Sequence, residues 1–126
     1  MRAVDTNVLV RLIARDDLRQ AAAAEAFVAG GAWVSLLALV ETVWVLAAVY
    51  DRTSGQIAAV VDHLLDHDTL SIQEPDVVRA ALTQFRETPR LGFSDCLMLH
   101  VALKAGHSPL GTLDRRLGAL DGAQQL

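Results

Sequence analysis

The chain has 126 residues, the common size for one domain, and folding should bury about two thirds of the surface that the extended chain exposes. Apolar residues at 52% against 21% charged exclude a disordered chain, and a net charge of −4 argues against a nucleic acid held by overall electrostatics. Alanine and leucine dominate and there are three prolines, so helix should outweigh strand.

Taken in chain order, RAV before Asp5 reads as a first short strand and the segment from Thr6 as a short helix. An alanine-rich helix then runs to Gly30-Gly31, and AWV forms a second strand. The long apolar helix from Ser35, SLLALVETVWVLAAVY, is shorter than a membrane span and carries Glu41 at its centre, so it reads as a buried soluble helix. QIAAVVDHLLDH is a fourth helix, LSI a third strand, and helices follow from Pro75 and from Ser94, with Gly106 as a stop. PLGT before Asp114 is a fourth strand and AQQL a fifth. Strands that alternate with helices imply right-handed crossovers, hence an α/β fold: a three-layer α/β/α sandwich around a mostly parallel sheet of four to five strands. No repeat or linker interrupts it, so residues 1–126 are expected to form a single domain. Cys96 is the one cysteine, which excludes an internal disulfide, and Asp5 and Arg11 interrupt the apolar stretch a signal peptide needs. A cytoplasmic protein with no membrane partner is expected.

In an open parallel sheet, ligands bind beyond the carboxyl ends of the strands, and Asp5, Ser35 and Asp114 directly follow strands. Asp5 and Asp114 are each explicable as helix N-caps, and Asp95 as an anion favoured in a first helical turn. Glu41 is less easily explained. Its helical neighbours Leu37, Ala38, Trp44 and Val45 offer no opposite charge, so a long-range arginine, a shared cation or exposure on a thin stripe must accommodate it. Four carboxylates brought together would hold protons at neutral pH unless a cation neutralised them. Oxygen-only ligands suit Mg2+ or Mn2+, and such a centre can activate water against a phosphodiester. Lys104 is the one lysine among eleven basic residues, and the arginines Arg11, Arg15, Arg19, Arg115 and Arg116 leave room for a local phosphate-binding rim.

The segments DTNVLVR, VETVWVL, GFSDCLMLHVA and GTLDRRL, in that order and spacing, resemble the PIN domain, and specifically the VapC-like toxins of bacterial type II toxin-antitoxin modules. The resemblance covers nearly the whole chain. It implies a ribonuclease that uses Mg2+ or Mn2+, with Asp5, Glu41 and Asp95 at the positions of the family's acidic metal-binding core and Asp114 at its more variable fourth acid. Thr6, Asn7 and Thr112 match polar positions that orient those carboxylates. It also implies an RNA substrate, a homodimer, and a cognate antitoxin that covers the groove. Ser94 and Cys96 around Asp95, and the short loop before Gly111, depart from the commonest pattern and bear on substrate preference.

Other readings are weaker. His63 and His67 stand at zinc-compatible i, i+4 spacing, but the stripe Ile57, Val60, Val61, Leu64 and Leu65 faces the other way, which makes them part of a solvated face. Trp33, Trp44, Phe27 and Phe93 fit core positions, and Cys96 reads as packing rather than as a nucleophile. An aspartate-nucleophile phosphatase wants a second acid where Asn7 stands. A receiver domain wants paired acids after strand one and a lysine after a late strand, whereas Lys104 falls on a helix. A catalytically silent PIN-like or receiver-like interaction module remains the alternative to an enzyme.

Overall fold

Short strands that end in a capping side chain organise this chain. The computed structural model describes residues 1–126, in two compact units, Met1–Pro75 and Asp76–Leu126. In the first, β1 (Arg2–Ala3), β2 (Ala32–Val34) and β3 (Leu70–Ile72) form a parallel sheet in the order β1-β2-β3, with Ala32 opposite Leu70 and Val34 opposite Ile72. Helices α1 (Thr6–Ala14) and α2 (Leu18–Val28) make the first crossover, and α3 (Leu36–Ala48) and α4 (Ser54–Asp66) make the second. Every one of these helices starts on a polar cap. Asp5 and Asp17 accept from Val8 and Gln20 amides, Ser35 from Ala38, and Thr53 forms a reciprocal capping box with Gln56. Each such cap is worth about 1 kcal/mol, because first-turn amides otherwise lack a partner.

The second unit holds α5 (Pro75–Glu87), which starts on the last residue of the first, then α6 (Phe93–Lys104), β4 (Leu110–Thr112), the single turn α7 (Arg115–Gly118) and β5 (Ala123–Gln125). Phe85 and Phe93 meet edge to face with centroids 5.8 Å apart, and Lys104 pairs with Asp76. β4 and β5 pair in parallel, and Gly118 permits the tight return: a Cβ there would lie 2.7 Å from the Cβ of Gln125. The fold is thus α/β with five parallel strands, as expected, but they pair as three and two rather than as one continuous sheet, because Leu110–Thr112 finds its ladder partner in Ala123–Gln125. No helix is long and apolar enough to cross a membrane.

Two sequence expectations are corrected. Trp44 is 67% exposed and Trp33 37%, so neither tryptophan is a core residue. Along α3 the buried residues are Ala38, Leu39, Thr42, Val43 and Leu46, which turns Leu37, Glu41 and Trp44 outward; in β2, Ala32 and Val34 point inward and the pleat sends Trp33 the other way. The rim imagined for Arg11 and Arg15 is also absent. Arg11 donates to Asp16 and to the Tyr50 hydroxyl, and Arg15 pairs with Glu25, so both serve nearby groups of the same unit.

The Tyr50 hydroxyl donates to Asp16 at 2.8 Å and, with Arg11, holds that carboxyl below its ordinary range, although partial burial opposes the shift. A depressed carboxyl adds stability that is present above its unfolded pKa and lost as pH falls through the folded one. Tyr50→Phe is therefore expected to lower the melting temperature at neutral pH, with the two melting curves converging as pH falls below about 4. Thermal melts between pH 7 and pH 2 check this, and a constant gap across the series would refute it.

Candidate active site

In the first unit, Asp5 follows β1 and caps α1 through Oδ1, which accepts from the Val8 amide at 3.1 Å; Oδ2 takes no part in the cap. Glu41, on the exposed side of α3, accepts the hydroxyl of Thr6 through Oε2 at 2.8 Å. Thr6 is the residue after Asp5, so one hydroxyl joins the start of α1 to the middle of α3, two helices that pack together. Glu41 is thus accommodated by exposure and by a neutral donor. Asn7, one residue further, lines a shallow hollow between α1 and α2 with Val8, Gln20 and Phe27.

In the second unit, Asp95 occupies the first turn of α6 behind Gly92, the N-cap residue, which offers no side chain to the helix end. The Gly92 backbone faces the Asp95 carboxylate and favours its charged form, so the third helical residue bears on the cap position. Asp95 is half-buried. Burial first, and the charge of Asp114 second, push its carboxyl above the ordinary range, against the pull of the Gly92 backbone. Asp114 caps α7 through Oδ1, which accepts from the Leu117 amide at 2.8 Å, and its own amide donates to Thr112 Oγ1 at 3.0 Å. Thr112, the last residue of β4, therefore fixes the turn that presents Asp114. Sequence reading placed this helix start at Ser94; the structure starts it at Phe93. It missed the part played by Gly92, although the spacing from Gly92 to the acid three residues on was its visible signal.

The acids therefore stand as two pairs, Asp5 with Glu41 through Thr6, and Asp95 with Asp114. Neither unit by itself gathers three or more histidine, cysteine or acidic side chains as a ready-made metal cage. All donors in both pairs are oxygens, the set that suits a hard divalent cation. Cys96, beside Asp95, is fully buried with its thiol pushed up to about 11 by burial and then by Asp95, which keeps it protonated and removes it as a nucleophile. His67 accepts the Thr69 amide on Nδ1 at 3.2 Å and meets His63 edge to face, so the two rings serve local structure.

A family model described as PIN domain matches residues 2–123. The chain belongs to the PIN domain family. The match runs through both compact units and includes all four acids, and it makes this chain a member of a family of nucleases. No curated protein matches it.

A raised carboxyl binds more protons in the folded than in the unfolded state, so Asp95 costs the fold stability as pH rises through the interval above about 4. In chelator, Asp95→Asn is expected to melt at a higher temperature than the parent at pH 7 and at nearly the same temperature at pH 4, since the amide oxygen keeps the Gly92 contact. Calorimetry at the two pH values checks this; an equal or lower melting temperature at pH 7 would contradict it.

Proposed function

We propose that this PIN domain protein is a Mg2+- or Mn2+-dependent endoribonuclease, the toxin of a type II toxin-antitoxin pair, in which Asp5, Glu41, Asp95 and Asp114 act as one metal-binding set. Thr6, Asn7 and Thr112 are the orienting residues of that set. The observation that carries the reading is the half-buried Asp95 with its carboxyl driven up by burial and by Asp114. Burial and repulsion of this kind disfavour the charged carboxylate unless a cation relieves them, and perturbed carboxyls concentrate at functional sites. The Thr6 hydroxyl on Glu41 adds a second acid held in place by a neutral donor, which leaves its negative charge available.

A divalent ion bound there supplies an activated water and a counter-charge for the phosphodiester. The side chains do the rest. Asp5 and Asp114 each use one carboxylate oxygen to hold a helix start, which fixes the direction of the other oxygen. Thr6 fixes Glu41, and Gly92 and Thr112 set the backbone on which Asp95 and Asp114 stand. In-line attack by water leaves a 5′-phosphate and a 3′-hydroxyl and needs no histidine pair; His63 and His67 are bound up in local contacts. We read residues 1–126 as one functional domain, cytoplasmic and homodimeric, with RNA as substrate and a cognate antitoxin as partner.

Asp5→Asn and Asp95→Asn are each expected to lower the rate of RNA cleavage by at least ~100-fold with the fold intact, and Thr6→Val by ~10- to 100-fold, because outer contacts to metal ligands carry that much. Cleavage should stop in EDTA and return with Mg2+ or Mn2+. Gel assays with end analysis of the products decide the matter. Parent-like rates in either asparagine variant, activity that persists in chelator, or 2′,3′-cyclic phosphate ends would each overturn the reading.

A further inference from the structure

Most arginines of the first unit are engaged. Arg2 donates to the Phe27 carbonyl and lies over the Phe27 ring, and Arg11 and Arg15 are tied to carboxylates. The second unit differs. Arg90, in the loop after α5, and Arg116, on α7, are both exposed and stand on the wall of one cavity of about 420 Å³. No carboxylate of the protein holds either guanidinium. The floor between them is apolar, formed by Leu91, Ala119 and Leu120, and Glu87 is the single acid on the rim.

A hollow of this volume lies within the range of small-ligand pockets. Two free guanidinium forks above an apolar floor match a group with a phosphate at its edge and a flat, weakly polar body. That is one nucleotide of a single strand. A duplex presents its phosphates on a convex outer surface and keeps its bases stacked inside, so it cannot enter a concave hollow of one-nucleotide size. With no aromatic ring in the wall, the base would be held by apolar contact and the backbone by charge, which gives affinity with little sequence preference. On a chain of net charge −4, this is a local reversal of sign. We propose that the cavity between Arg90 and Arg116 is a docking cleft for single-stranded RNA, in which the two arginines hold backbone phosphate and Glu87 weakens the grip. This rests on the ribonuclease reading for its substrate class and adds residues outside the acidic set.

The test uses the full chain in EDTA, so that no cleavage occurs, with a fluorescein-labelled unstructured RNA oligonucleotide and anisotropy titrations from 50 to 200 mM KCl. Arg90→Ala/Arg116→Ala is expected to weaken binding by ~10-fold at 50 mM and to flatten the dependence of log affinity on log salt by about 1.4, since each phosphate contact to a single strand contributes about 0.7. Glu87→Gln should tighten binding, and Arg19→Ala, an exposed arginine of the first unit, should change it less than Arg116→Ala alone does. The cleft is refuted if the double variant keeps parental affinity and slope, if Arg19→Ala weakens binding as much as Arg116→Ala, or if a blunt RNA duplex loses affinity to the same degree. It is refuted as well if the parent does not bind the oligonucleotide. Cleavage of the same oligonucleotide by the parent in Mg2+ is measured separately. Binding that depends on Arg90 and Arg116 without any cleavage would support the cleft and count against the nuclease reading alone.

Discussion

A helix that begins immediately after a parallel strand leaves its first amides without partners, and side-chain oxygens must accept from them. That requirement governs this chain. Asp5 after β1, Ser35 after β2 and Asp114 close behind β4 each answer it, and Thr53 and Asp17 do the same where helices follow loops. Because the strands are parallel, such helix starts fall at their carboxyl ends, where open α/β sheets bind ligands. A carboxylate that caps a helix through one oxygen is held rigidly and still offers the other. At Asp5 and Asp114 the same side chain therefore holds a helix start and keeps one oxygen outside the cap.

Asp95 stands apart because it is not an N-cap. The position before its helix is glycine, which supplies no side-chain acceptor, and its backbone instead faces the carboxylate three residues later. That single favourable contact is outweighed by burial and by Asp114. The fold thus keeps this side chain in an unfavourable electrostatic state, where a neutral one would make it more stable. Glu41 illustrates the complementary solution. It remains in solvent and takes one neutral hydroxyl, so no fixed positive charge neutralises it.

The elements were largely legible in the residues because their signals are local. AWV and LSI are the strands Ala32–Val34 and Leu70–Ile72, and caps marked the helices from Thr6 and Ser35. RAV was one residue too long, since Val4 leaves the strand yet still donates its amide to Trp33. What local pattern does not encode was lost. Thr6 and Glu41 are 35 residues apart, and nothing in either segment announces the bond. The apolar character of α3 on all sides hid which face turns to solvent, and Trp44 was misplaced for that reason. The division of five strands into sheets of three and two depends on which ladder the strand Leu110–Thr112 joins, a non-local choice.

Sequence clustering of arginines also misleads, because neighbouring acids compete for them. Arg11 and Arg15 look like the start of a basic rim, but Asp16 and Glu25 lie within a short stretch of the same chain and take them up. Arg115 and Arg116 follow an acid too, but Asp114 caps α7 through one oxygen and forms no ion pair with either, so α7 is left with exposed positive charge. An acidic protein can in this way keep a cationic surface beside its own carboxylates. The sign of the local field then follows from which nearby acids pair with the arginines, and the net charge of the chain says little about it.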